Sequence, residues 1–258
     1  MKLIDLKGKN IVIAGGSGDI GSGIAEKLAE CDAVTIIADI DTSRGTLLSK
    51  HLKEKFGVDS FFYKCDLCKR PSVKDFASGI FSRFKKIDCL IYCAGYSSLH
   101  EFIDLTDDEW EKSMAINLNG AFYFIQEFMC HMLDQKKGNI ILIGSTTTIN
   151  GSGGGAHYAA SKIGLLGIMK SLTYDLLPKG IRINTVSPGV IDTKMLRIRY
   201  PDVPEVNKKI IEGIPLGRMG TPADIGNIVS FLASDLSEYI CGQEIIADGG
   251  RIIYRRPK

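Results

Sequence analysis

The chain has 258 residues, 45% hydrophobic and 24% charged, the balance of an ordinary globular protein with a sizeable core. A formal charge of +2 gives no reason to expect nucleic acid or an anionic membrane as the main partner. No apolar run is long enough to span a bilayer, the opening MKLIDLKGKN has no signal-peptide pattern, and the seven cysteines form no tight framework, so a cytoplasmic protein with free thiols is expected.

Strand-like and helix-like stretches alternate along the chain. NIVIAGG (10–16) reads as a strand ending in glycines, and IGSGIAEKLAE (20–30) as an amphipathic helix. AVTIIADI (33–40), SFFYKCDL (60–67), IDCLIYCAG (87–95), GNIILIGS (138–145) and GIRINTVSPG (180–189) read as further strands, with QEIIADGG (243–250) as a short last one. Helical stretches fill the gaps, the longest near 106–134 and 156–177. Near-continuous apolar strands separated by helices predict a doubly wound α/β sheet of about seven parallel strands, covered by helices on both faces, in one domain over 1–258. Such sheets bind ligands beyond the carboxyl ends of their strands. The basic tail YRRPK reads as a frayed terminus.

The motifs fall on those strand ends. Glycines 15, 16, 18 and 21 surround the first strand-to-helix turn, where backbone can approach a pyrophosphate at a helix N-terminus. Their spacing is not that of the usual G-x-G-x-x-G fingerprint, and a purely structural tight turn is the alternative. Asp39 ends the second strand, where a carboxylate can bind the adenosine ribose hydroxyls and repel a 2′-phosphate. Ile40 follows it and Gly18 occupies the loop, so neither supplies an arginine for that phosphate, and NAD(H) is expected over NADP(H). Otherwise Asp39 is a solvated turn residue, and Asp41 or Arg44 decides the matter. Cys65 and Cys68 form a C-x-x-C without a second ligand pair at metal spacing, so no metal is expected.

Tyr158 precedes Lys162 by one helical turn, which puts both side chains on one face. A phenol ordinarily keeps its proton to about pH 10, and a neighbouring ammonium favours the phenolate. Together the glycine turn, Asp39, Asp66, CAG (93–95), INLNG (116–120), Ser145, YAASK (158–162), NTVSPGVIDT (184–193), PLGRMGTPADI (215–225) and CGQEIIADGG (241–250) make the chain resemble the compact branch of the short-chain dehydrogenase/reductase family over nearly its whole length.

The resemblance implies a catalytic set of Asn117, Ser145, Tyr158 and Lys162. Tyr158 would be the general acid/base, Ser145 would bind the reacting oxygen, Lys162 would hold the nicotinamide ribose and acidify the phenol, and Asn117 would hold a water in a proton relay. The implied NAD site comprises Gly15, Ser17, Gly18, Asp19, Ile20 and Gly21 in the turn, and Asp39 and Ile40 after the second strand. It continues through Cys65, Asp66 and Leu67, then Cys93, Ala94 and Gly95, with Tyr158, Lys162, Pro188, Gly189, Ile191 and Thr193 beside the nicotinamide. Residues 194–214 resemble the family's substrate lid, in which Arg197 and Arg199 could meet an anionic substrate or face water. The family usually forms homotetramers through its long helices and last strand, and the same is expected here.

The chain departs from the family pattern in three places. Asp19 stands in place of a glycine and is expected to cap the helix start, with a left-handed backbone as an option. Tyr92-Cys93 replace Asn-Asn, and Ala14 replaces a threonine, removing two bonds that brace the sheet. His157, before Tyr158, reads as a helix-start residue or a border of the substrate pocket. The expected reaction is NAD(H)-dependent oxidation of a secondary alcohol, or the reverse, on a small polar hydroxy compound. The first alternative is a 3-oxoacyl-thioester reductase, which often takes NADPH and would lack an acid such as Asp39. An alternative of another class is a catalytically silent nicotinamide-binding regulator.

Overall fold

The computed structural model describes residues 3–98, 100–200 and 203–253, with Arg199 by its backbone alone. The basic tail and part of the expected lid lie outside the described residues. The first half alternates β1 (Asn10–Ala14), α1 (Asp19–Glu30), β2 (Val34–Asp39), α2 (Thr42–Phe56), β3 (Ser60–Lys64), α3 (Arg70–Arg83) and β4 (Cys89–Tyr92). The second half runs α4 (Asp107–Met114), α5 (Gly120–Gln135), β5 (Gly138–Ile143), α6 (Thr147–Asn150), α7 (Gly155–Leu176), β6 (Ile181–Pro188), α8 (Lys194–Arg199), α9 (Pro204–Glu212), α10 (Pro222–Ala233) and β7 (Glu244–Ala247).

The seven strands form one sheet in the order β3-β2-β1-β4-β5-β6-β7, and every pairing is parallel. Strand residues alternate between two apolar layers, as the two-residue side-chain period requires. In β1, Val12 and Ala14 join a cluster with Phe76, Phe124, Phe128 and Leu165 under α3, α5 and α7. Ile11 and Ile13 join the opposite cluster with Ile24, Leu28, Ile225 and Val229 under α1 and α10. Both faces are therefore closed, and only the strand ends are open to ligands.

Local signals place the helix ends. Asp41 caps α2 by accepting the Arg44 N–H at 2.9 Å, and Gly57 ends that helix with φ +69°. Thr221 and Asp224 form a capping box at the start of α10, and Thr106 and Glu109 form another at the start of α4. The lid stretch carries two short helices, α8 and α9, with Thr193 accepting the Leu196 N–H at 3.3 Å to start α8.

The helix expected near 106–134 is not one continuous α-helix. Residues Ala115–Asn119 form a π turn between α4 and α5, in which the Gly120 N–H reaches back five residues to the Ala115 carbonyl. Phe128, fully buried in α5, has ring centroids 5.1, 5.2 and 5.8 Å from those of Phe124, Phe81 and Phe76. Phe128→Ala is expected to cost about 3–5 kcal/mol of unfolding free energy, read from the urea midpoint, because that packing cannot collapse onto the lost ring. A shift below about 1 kcal/mol would show that the ring cluster contributes little.

Candidate active site

The topology changes direction between β1 and β4, and the crevice beyond their carboxyl ends holds most of the expected site residues. Gly15 turns there with φ +73°. A Cβ on Gly21 would stand 2.3 Å from the Gly15 carbonyl oxygen, so the first turn of α1 packs backbone to backbone against the loop. The Asp39 carboxylate accepts the Ser17 N–H at 3.1 Å and the Asp41 N–H at 3.1 Å. It is thus fixed across the mouth of the glycine turn, with Ile40 exposed beside it. Cys65 and Leu67 pack their side chains into the core, so only their backbone faces a ligand. A Cβ on Gly95 would be 3.7 Å from Lys162 Nζ, and its absence leaves a flat floor between the turn and α7. A cradle of close backbone, one fixed carboxylate and an open floor fits a dinucleotide.

Asp19 departs from its sequence expectation. Gly18, not Asp19, is the N-cap of α1, and no side chain caps this helix. Asp19 is not among the positive-φ residues, because it lies inside the helical first turn. Its carboxylate reaches outward instead, to Arg44 Nη2 at 2.7 Å and to the Lys194 N–H at 2.5 Å. Burial alone would raise its pKa, but these bonds and the two positive charges outweigh that and lower it.

On the other side of the crevice, α7 carries Tyr158 and Lys162. A Cβ on Gly154 would come within 2.2 Å of the Tyr158 ring, so the ring lies on bare backbone. Lys162 Nζ lies 5.6 Å from the centroid of that ring. It donates to the Ile143 carbonyl at 2.8 Å at the end of β5. Lys162 is 2% exposed, and burial lowers its pKa to about 8. The neighbouring Cys93 thiol is pushed up to about 12 by burial, so it stays neutral. Ser145 Oγ pairs with Thr147 Oγ1 at 2.9 Å and accepts the Thr147 N–H at 3.2 Å. Thr148 Oγ1 and Ser187 Oγ both meet Glu244 Oε1, at 2.7 and 2.5 Å, which ties this turn to β6 and β7.

Asn117 sits fully buried in the π turn. Its Oδ1 accepts the Tyr96 N–H at 2.7 Å, while Nδ2 lies within bonding distance of Tyr96 O, Ser161 Oγ and Ser113 Oγ. The side-chain amide is therefore engaged in clamping the 94–98 loop to α7. His157 does similar work. It is fully buried, unlike an ordinary helix-start residue, and its Nε2 accepts the Ser98 N–H at 3.1 Å.

Sequence reasoning missed Tyr92. Its hydroxyl donates to the Ile116 carbonyl at 2.5 Å, and its ring is buried at the end of β4. The bond that the loss of Asn-Asn called into question is thus replaced by a longer reach into the π turn beside Asn117. Burial raises the Tyr92 pKa well above its ordinary value, so the phenol remains a donor. Tyr92→Phe keeps the ring but strands a buried carbonyl, and is expected to lower unfolding free energy by about 1–3 kcal/mol. An unchanged denaturation midpoint would show that the bond holds nothing.

Comparison with known proteins agrees with this geometry. The family model described as Enoyl-(Acyl carrier protein) reductase matches residues 14–251. The 3-oxoacyl-[acyl-carrier-protein] reductase FabG of Rickettsia felis is 36% identical over 255 residues, covering 97% of this chain and 100% of that one. FabG of Aquifex aeolicus is 33% identical over 247 residues, covering 96% and 98%. The crystal structure of the 3-oxoacyl-[acyl-carrier protein] reductase from Brucella melitensis superposes with a TM-score of 0.88 at 27% identity, covering 95% and 92%. With its parallel sheet and its strand-end crevice, the chain belongs to the short-chain dehydrogenase/reductase family of oxidoreductases, enzymes that act on CH–OH and ketone groups.

Proposed function

We propose that the protein interconverts a 3-oxoacyl thioester and its 3-hydroxy counterpart with NAD(H). The reading rests on one observation above all: Tyr158 and a buried Lys162 share the crevice whose other wall is the fixed carboxylate of Asp39. The names of the relatives favour a thioester over the small polar hydroxy compound expected from the sequence. Arg197, a candidate for an anionic substrate, is paired with Asp192 at 2.8 Å and gives the polar compound no support. The Asp39 carboxylate sets this chain apart from the NADPH preference expected of a 3-oxoacyl reductase.

The bound cofactor would supply the hydride. Tyr158 gives a proton to the carbonyl oxygen in reduction and takes one from the alcohol in oxidation. Ser145, with its hydroxyl held by Thr147, orients that oxygen. Lys162 spends one N–H on Ile143 and keeps two donors for a ribose hydroxyl and the phenol side. Asn117 acts as a positioning residue that fixes the loop and α7, and its turn would hold the water of the expected proton relay. Gly15 to Gly21, with Pro188, Gly189, Ile191 and Thr193, would line the dinucleotide, and residues 194–214 would close over the substrate. A homotetramer is supported by the exposed Phe122 on α5 and by Ile163 and Tyr174 on α7. No helix among the described residues is long and apolar enough to cross a membrane, and the free cysteines suit a reducing cytoplasm.

The test follows nicotinamide absorbance with 3-oxoacyl thioesters, simple ketones and polyols, with NAD(H) and NADP(H) in parallel. Thioester turnover with NADH is expected, and Tyr158→Phe is expected to lower kcat by about 100-fold or more. Turnover of polyols alone would overturn the substrate class, and turnover with NADPH alone would overturn the cofactor.

The pH profile has a defined sign. Burial lowers the Lys162 pKa to about 8. Reduction needs the Lys162 ammonium beside the phenol, so its kcat is expected to be level below that pH and to fall above it. A reduction profile that stays level through that range would overturn the role given to Lys162.

A further inference from the structure

Asp19 links three elements near the mouth of the crevice. It lies in the first turn of α1, its partner Arg44 lies in the first turn of α2, and its second partner, the Lys194 N–H, begins α8. Asp39 ends the strand that leads into α2, and Asp41 caps α2 by accepting the Arg44 N–H. Two facts stand out. A cation is present next to the β2 end, where the 2′-position of an adenosine ribose would lie. That cation is already paired, at 2.7 Å, with a carboxylate that occupies a glycine position of the family pattern.

A guanidinium is the natural partner of a phosphate, since its planar donors match phosphate oxygens. Arg44 would therefore suit a 2′-phosphate if it were released. Held by Asp19, it is neutralised, and a phosphate would approach the Asp19 and Asp39 carboxylates with Arg44 already engaged. Lys64, opposite Asp39 in the β2–β3 register and exposed, and Lys194, whose charge acts on Asp19, are further cations in the neighbourhood.

We propose that Asp19 is a specificity-determining residue that excludes NADP(H) by sequestering Arg44. The proposal rests on the NAD(H) reading above, and it extends discrimination beyond Asp39 to a residue on a different element. Asp19 acts through Arg44 and is not a catalytic residue. Its bond to the Lys194 N–H also fixes the start of the lid, so the test must separate charge from architecture.

The experiment measures dissociation constants of NADH and NADPH by cofactor fluorescence, with no substrate present. The variants are Asp19→Gly, Asp19→Asn and Asp19→Gly combined with Arg44→Ala. Asp19→Asn keeps an oxygen for the Lys194 N–H but drops the charge that holds Arg44, so it reports even where the glycine variant fails to fold. The ratio of NADPH to NADH dissociation constants is expected to fall tenfold or more in Asp19→Gly and Asp19→Asn. Adding Arg44→Ala is expected to restore most of it. Equal weakening of both cofactors would show a purely structural role and overturn the proposal. A shift that survives Arg44→Ala would overturn it as well and would point to Lys64 or Lys194. Tighter NADPH than NADH binding in the unmodified protein would instead overturn the NAD(H) reading, whatever the variants do.

Discussion

A parallel sheet closed by helices on both faces has its strand ends as the natural opening for chemistry. Every β-strand here runs the same way, so all seven carboxyl ends converge on one edge of the molecule. The glycine turn, Asp39, the Ala94–Gly95 floor, Ser145 and the Pro188 end of β6 stand together because of that constraint, although they are widely separated in the chain. Reversal of the winding between β1 and β4 then provides the crevice itself.

Holding the catalytic wall in place falls to buried polar contacts that bridge elements. Asn117 joins the π turn, the 94–98 loop and α7, while His157 adds a second tie through Ser98. Tyr92 fixes the π turn from the sheet. Glu244 gathers Thr148 and Ser187 on the opposite flank. Each tie joins parts of the fold that have no local reason to stay in register, and together they set the floor on which Tyr158 and Lys162 lie.

The sheet was legible in the sequence because its signal is local. Runs such as NIVIA and GNIILI carry β-branched residues between turn formers, and the strands end within a few residues of the expected places. The candidate site was legible through motif order, since Ser145, Tyr158 and Lys162 each sit at a defined offset from a strand or on one helical turn. The π turn was not legible, because INLNG reads as ordinary helix and the bond from Tyr92 comes from 24 residues away. Asp19 was misread for a related reason. An acid at a helix start normally caps that helix, but here Gly18 takes the cap, and Arg44 and Lys194, 25 and 175 residues distant, take the carboxylate. His157 does stand at a helix start, in the first turn of α7, but nothing in GGGAHYAAS announces its burial or Ser98 as its partner.

Burial of Lys162 has a consequence for the endurance of the fold as well as for its chemistry. Its folded pKa, about 8, lies below the value of 10.5 for an unhindered lysine. Below the lower figure both folded and unfolded chains carry the charge, and the folded chain bears the full cost of a desolvated ammonium. Between the two figures the unfolded chain binds more protons, so stability rises with pH and the penalty fades. At neutral pH the protein therefore keeps the Lys162 ammonium in its least stabilising state. The reactive centre and the scaffold make opposing demands on one amino group, and the two ring-lined apolar layers must hold the sheet together against it.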